Sequence, residues 1–162
     1  MKKCVWLLLV CVLLSGCGAE PTFETVADLP VSATAAPVRQ VILVLPEEAA
    51  VPASESESGK LYLCDGYEIA LQTLEAGDLN ATVQTISGFS REDLTVIESE
   101  AGDYKRYDMV WSCAGEQGDR IGKAVVLDDG NYHYVLSILA DAARIREYEG
   151  VWQEMLDTYC LG

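Results

Sequence analysis

The chain has 162 residues and sets 11 Lys and Arg against 26 Asp and Glu, a formal net charge of −15. That balance excludes nucleic acid as a partner, because phosphate recognition draws on basic clusters that are missing here, and it repels an anionic lipid surface. It suits solubility, spacing from a membrane, or a basic protein partner.

In chain order, Lys2 and Lys3 precede an apolar run from Val5 to Leu14, which Ser15, Gly16 and Cys17 follow. A basic start, a short apolar stretch and small residues before a cysteine are the layout of a secretory signal with its processing site. The run is too short for a membrane span, which takes about 20 residues. With Leu14, Ser15 and Gly16 leading into Cys17, the segment resembles the lipobox of bacterial lipoproteins. The resemblance covers residues 1–17 and implies cleavage before Cys17, diacylglycerol on its sulfur, and a mature chain moored to the cell membrane on the extracytoplasmic side. Each buried acyl CH₂ contributes about 0.8 kcal/mol, so one chain holds marginally and two or three hold firmly. Cleavage removes Lys2 and Lys3 as its only charged residues, leaving 9 basic against 26 acidic, a net −17.

Cys4 and Cys11 leave with the signal and Cys17 becomes the anchor, so Cys64, Cys113 and Cys160 remain. In an exported compartment disulfides persist, yet an odd number leaves at least one thiol free or paired with another chain. All three pairings stay open, one disulfide or none is expected, and no spacing forms a Cys-x-x-Cys metal or redox motif.

Residues 17–37 read as a lipid-anchored tether, a Pro, Ala, Thr and Glu mixture too poor in periodic apolar residues to offset its ordering entropy. If flexible, such a segment reaches roughly 25 Å. Residues 38–162 read as a single α+β domain. Val41-Ile42-Leu43-Val44-Leu45 is a strand ending at Pro46, and 46–59 is a loop with a short helical turn near Glu47 to Ala50. Asp65-Gly66 then joins Leu61-Tyr62-Leu63-Cys64 to Tyr67-Glu68-Ile69-Ala70-Leu71 as a hairpin, since Asp-Gly supplies the positive φ of a type I′ turn. Pairing Cys64 with Tyr67 places Tyr62, Cys64, Tyr67, Ile69 and Leu71 on one face.

Asp78 caps and Gly88 ends a short helix whose stripe is Leu79, Val83 and Ile86. Ser90 to Asp93 has capping-box spacing and precedes a strand from Leu94 to Ser99. From Tyr104 to Ala114, alternation puts Tyr107, Met109, Trp111 and Cys113 on one face. Arg120 to Asp128 runs to a turn at Asp129-Gly130. Pairing Asp128 with Asn131 there puts Val125, Leu127, Tyr132, Tyr134 and Leu136 on one side, and Ala124, Val126, His133, Val135 and Leu139 on the other. A hairpin apolar on both sides belongs in the middle of a sheet covered on both faces. A helix from about Ile145 to Tyr159, with Tyr148 and Trp152 in its stripe, closes the chain. Gly150 inside it costs about 1 kcal/mol relative to Ala, so a close backbone approach requires it or the helix begins later.

The expected fold is therefore α+β: a mostly antiparallel sheet with a short helix and a C-terminal helix packed on it. This element order, with Tyr148, Trp152 and Leu156 near the end, resembles the PsbP-like α/β/α sandwich over about Lys60 to Gly162. The resemblance implies a binding or assembly factor rather than an enzyme, and transfers no functional residue.

No catalytic set converges in the sequence. His133 is the single histidine, so no base can be named for a nucleophile. Ser15 and Ser112 lack the Gly-x-Ser-x-Gly context. Asp128-Asp129-Gly130-Asn131 offers oxygens to calcium, but not at EF-hand spacing, and Asp-Gly has a backbone reason to occupy a hairpin tip. No metal or cofactor is expected. Tyr132, Tyr134 and Trp111 are the candidate ligand face, since aromatic rings stack on sugars or peptide side chains. These readings lead to a membrane-anchored lipoprotein with a non-catalytic binding or accessory domain, its ligand a protein or small molecule not identified by these residues. The alternatives are a hydrolase of cell-surface material using carboxylates gathered by the fold, and an acidic inhibitor of a basic protein.

Overall fold

The computed structural model describes residues 36–116 and 118–162. The expected signal segment, Cys17 and the expected tether up to residue 35 lie outside the described residues. The described chain is α+β. Strands β2 (Ser54–Ser56), β3 (Gly59–Cys64), β4 (Tyr67–Glu75), β5 (Val96–Ala101), β6 (Tyr104–Gly115), β7 (Gly118–Asp128) and β8 (Tyr132–Asp141) form one antiparallel sheet in the order β2-β3-β4-β8-β7-β6-β5. A separate two-stranded pairing joins β1 (Val41–Ile42) to β9 (Cys160–Leu161).

Helix α1 (Leu79–Ser87) lies on one face. Asp78 caps it by accepting from the Asn80 N–H at 3.0 Å, and Gly88, at φ 78°, ends it with its N–H on the Gln84 carbonyl. Its Val83 packs with Tyr107, Met109, Trp111, Ala124, Val126 and Val135. Helix α2 (Ile145–Thr158) covers the other face, where Tyr148, Trp152 and Met155 meet Tyr62, Tyr67, Ile69, Leu127, Tyr134 and Leu136. Two buried stripes on opposite faces of one sheet explain why β7 and β8 are apolar on both sides.

The Asp65-Gly66 turn closes the expected Cys64 to Tyr67 pair and also docks α2. Arg144 reaches Asp65 at 3.1 Å and Glu147 at 2.9 Å, while Gly66 lies so close to the Tyr148 hydroxyl that a β-carbon there would collide with it. With φ at 82°, the position demands glycine twice over.

Three expectations change. The stretch Val41 to Leu45 is strand only at Val41–Ile42: Leu43 and Leu45 turn into the core under α2, and the Val44 N–H goes to the Thr158 hydroxyl at 3.1 Å. Stretch 46–59 keeps the expected helical turn, as a 3₁₀ turn at Glu47–Ala49, but where loop was expected it forms the edge strand β2. The β7–β8 register differs as well, since Asp128 pairs with His133, not Asn131. Asp129 widens the turn by accepting the N–H groups of Asn131 at 2.9 Å and Tyr132 at 2.7 Å, and Asp128 accepts that of Gly130 at 2.8 Å. The displacement is two residues, an even number, so every side chain keeps its face.

Gly150 has neither of the expected reasons. The helix begins at Ile145, and a β-carbon on Gly150 would meet nothing within 4 Å.

Candidate functional site

A cleft of about 690 Å³ opens where β5 falls short of β6. β5 pairs with β6 only from Tyr104 to Met109, so Val110 to Gly115 are held on one side by β7 and border open space on the other. Alternation sends Trp111 and Cys113 to the α1 face and Val110 and Ser112 to the α2 face. The cleft accordingly wraps the bare edge. Phe89, Leu94 and Trp111 line it on one side, and Val110, Lys123, Gln153 and Asp157 on the other.

Trp111 is positioned by glycine. It stands opposite Gly122 in the β6–β7 register, and a β-carbon on Gly122 would collide with the indole ring. The ring thus lies flat across the neighbouring strand, which no other residue at position 122 permits.

Arg106 closes the cleft toward the end of α2. It forms a two-pronged contact with Asp108 at 2.9 and 2.8 Å and donates to the carbonyls of Leu156 at 3.1 Å and Tyr159 at 3.2 Å. A guanidinium there complements the negative helix end and satisfies its orphan carbonyls. Among the described residues, the cleft charges without an ion pair are Asp93 and Asp157, the latter accepting from the Gln153 amide at 2.7 Å, against Lys123, whose ammonium sits 5.6 Å from the centre of the Trp152 ring.

The sheet separates the aromatics that sequence grouped together. Trp111 lies on the α1 face, Tyr132 and Tyr134 on the α2 face. The two tyrosines hold the N-terminal segment: Tyr132 donates to the Ala36 carbonyl at 2.9 Å, and the Tyr134 hydroxyl accepts the Arg39 N–H at 2.8 Å. Only Trp111 of the three reaches the cleft.

Cys64, Cys113 and Cys160 are free thiols. Cys64 faces α2 and Cys113 faces α1, so the sheet stands between them. Cys64 borders the turn that docks the start of α2 whereas Cys160 follows its end, about 20 Å away for 14 residues of helix. Burial raises the Cys64 thiol above its ordinary range, against the opposing hydrogen bond from Tyr67, which makes it a poor nucleophile.

His133 is buried under α1. Its Nδ1 shares a hydrogen bond of 2.8 Å with Thr82 Oγ1, and its Nε2 lies 3.8 Å from Asp128. Hydroxyl, imidazole and carboxylate stand in the order of a nucleophilic triad, yet Thr82 and His133 are 7% and 1% exposed, so a substrate has no approach. Among the described residues, no three His, Cys, Asp or Glu side chains gather as a metal site. Asp128 and Asp129 each spend one carboxylate oxygen on the turn, while the second oxygen of Asp128 faces His133 and that of Asp129 accepts from the Tyr134 hydroxyl.

Sequence reasoning missed this cleft, although a signal existed. The strand read from Tyr104 to Ala114 is nearly twice as long as the one from Leu94 to Ser99 that precedes it, so part of it had to lack a partner on that side. No helix of the described residues is long and apolar enough to cross a membrane. The sequence matches no protein-family model and no curated protein.

Proposed function

We propose that the protein is a lipoprotein anchored through Cys17 to the extracytoplasmic side of the cell membrane, with residues 38–162 acting as a non-catalytic binding or accessory module. The observation that carries the anchor is the run Leu13-Leu14-Ser15-Gly16-Cys17 behind Lys2, Lys3 and a short apolar stretch. The module reading is supported by a large open cleft whose titratable groups are already engaged with one another or lie apart. We infer further that the domain is of the PsbP-like α/β/α kind. One helix on each face of an antiparallel sheet supports this, as does a closing helix that buries Tyr148 and Trp152.

Detergent phase partitioning of the full chain, expressed in a bacterium that processes lipoproteins, tests the anchor. The native chain enters the detergent phase and takes up a labelled fatty acid, while Cys17→Ser stays in the aqueous phase unlabelled. Unchanged partitioning of Cys17→Ser would remove the reading.

A further inference from the structure

Resting on the reading of this domain as a binding module, we propose that the bare edge of β6, Val110 to Gly115, takes an extended basic peptide as an added strand.

The backbone is prepared for it. Ala101 and Tyr104 close a two-residue hairpin turn, and the closing pair of such a turn exchanges both of its hydrogen bonds. Direction alternates along a strand, so the even-numbered residues of β6 turn their N–H and C=O groups toward β5. The Gly115 to Gly118 pair, closing the turn to β7, gives the same parity. Beyond Met109 there is no β5, and the groups of Val110, Ser112 and Ala114 face the cleft.

The stretch also lacks the protection that other edges carry. β2 is three residues long and charged, with Glu55 paired to Lys60 at 2.8 Å, and the outer strand β5 bears Glu98 and Glu100. Val110-Trp111-Ser112-Cys113-Ala114 has no charge and no proline, the condition that invites pairing with another chain. Val110 is 53% exposed.

Side-chain pockets lie where an added strand needs them. Alternate residues of the guest would point to the Phe89, Leu94 and Trp111 side and to the Lys123 and Gln153 side. The bare stretch is about 20 Å long for six residues. Charge selects the guest: Asp93 and Asp157 at the cleft outnumber Lys123, Glu116 and Asp119 stand at the hairpin tip, and residues 36–162 carry 9 basic against 23 acidic side chains, a net −14. That field speeds and favours a cationic segment and repels an anionic one, including a second copy of this chain.

The test uses the full chain in detergent micelles and a capped octapeptide alternating Lys with Val, read by calorimetry and by hydrogen exchange. Binding is expected, with slowed exchange at the Val110, Ser112 and Ala114 amides, and a Glu-for-Lys peptide should bind at least about tenfold more weakly. Ser112→Pro removes an outward N–H at an edge position, where a sheet tolerates proline, so it should stay folded and lose about tenfold or more in affinity. Two versions of the peptide, one N-methylated on every Val and one on every Lys, give a readout that does not depend on the variant folding. Strand addition spares one and abolishes the other. No binding, binding that Ser112→Pro leaves intact, both methylated peptides behaving alike, or self-association of the chain through this edge would each overturn the proposal. Detergent partitioning reads the anchor separately, because neither the peptide nor Ser112→Pro touches Cys17.

Discussion

The buried hydroxyl of Tyr134 donates to Asp129 at 3.0 Å while accepting the backbone N–H of Arg39 at 2.8 Å. One atom thereby ties the turn between β7 and β8 to the segment that enters the domain. Tyr134→Phe keeps the ring and removes both bonds, leaving a part-buried N–H unpaired, so it should cost about 1 to 3 kcal/mol in urea denaturation. An unchanged midpoint would show that water replaces the hydroxyl.

Asp129 also sets an acid limit. Burial alone would raise its carboxyl, but the N–H groups of Asn131 and Tyr132, the Tyr134 hydroxyl and Arg39 together outweigh this and hold it below the ordinary carboxylate range. A lowered folded value means that its contribution is present above the unfolded value near 4 and is lost as pH falls through the folded one. Stability measured from pH 6 to pH 2 should therefore fall less steeply for Asp129→Asn than for the native chain. Parallel curves would assign the acid sensitivity elsewhere.

Trp111 and Gly122 are a matched pair. Gly122→Ala should push the indole off the strand and cost about 1 to 3 kcal/mol by overpacking. With Trp111→Leu already in place, the same alanine should cost much less, and this coupling is read by a double-mutant cycle in guanidinium. Additive effects would mean that the ring does not depend on the missing side chain.

Gly150 is exposed on α2 with room for a side chain. Gly150→Ala should stabilise by about 0.5 to 1 kcal/mol through helix propensity and a less mobile unfolded chain, raising Tm by a few degrees. A lower Tm would show that α2 needs to bend at this point.

Thr82 and His133 satisfy each other under α1. Thr82→Val should leave Nδ1 buried without a partner and cost about 1 to 3 kcal/mol, measurable by thermal unfolding. A neutral outcome would mean that the imidazole finds another acceptor or donor.

Much of this fold was legible because its signals are local. Asp78 and Gly88 bound α1 through backbone contacts within a turn of each other, and Asp65-Gly66 fixes its hairpin by the φ angles it permits. Faces were legible for a different reason, since alternation survives any even change of register, and the two-residue displacement at Asp129 left every inward residue inward. What stayed hidden depends on distant partners. Nothing near Val41 announces Leu161 across from it, nothing near Thr82 announces His133, and an unpaired edge is a property of where β5 stops, not of the residues in β6. The cleft was therefore visible only as a difference in strand length.

The chain enters the described domain at Ala36, beside Tyr132, at the end of the sheet where β6 starts. Val110 to Gly115 lie at the end where β6 stops, roughly 20 Å or more along the strand from Tyr104. The contact that fixes Ala36 and the unpaired backbone groups of Val110, Ser112 and Ala114 therefore occupy opposite ends of one strand, so neither crowds the other.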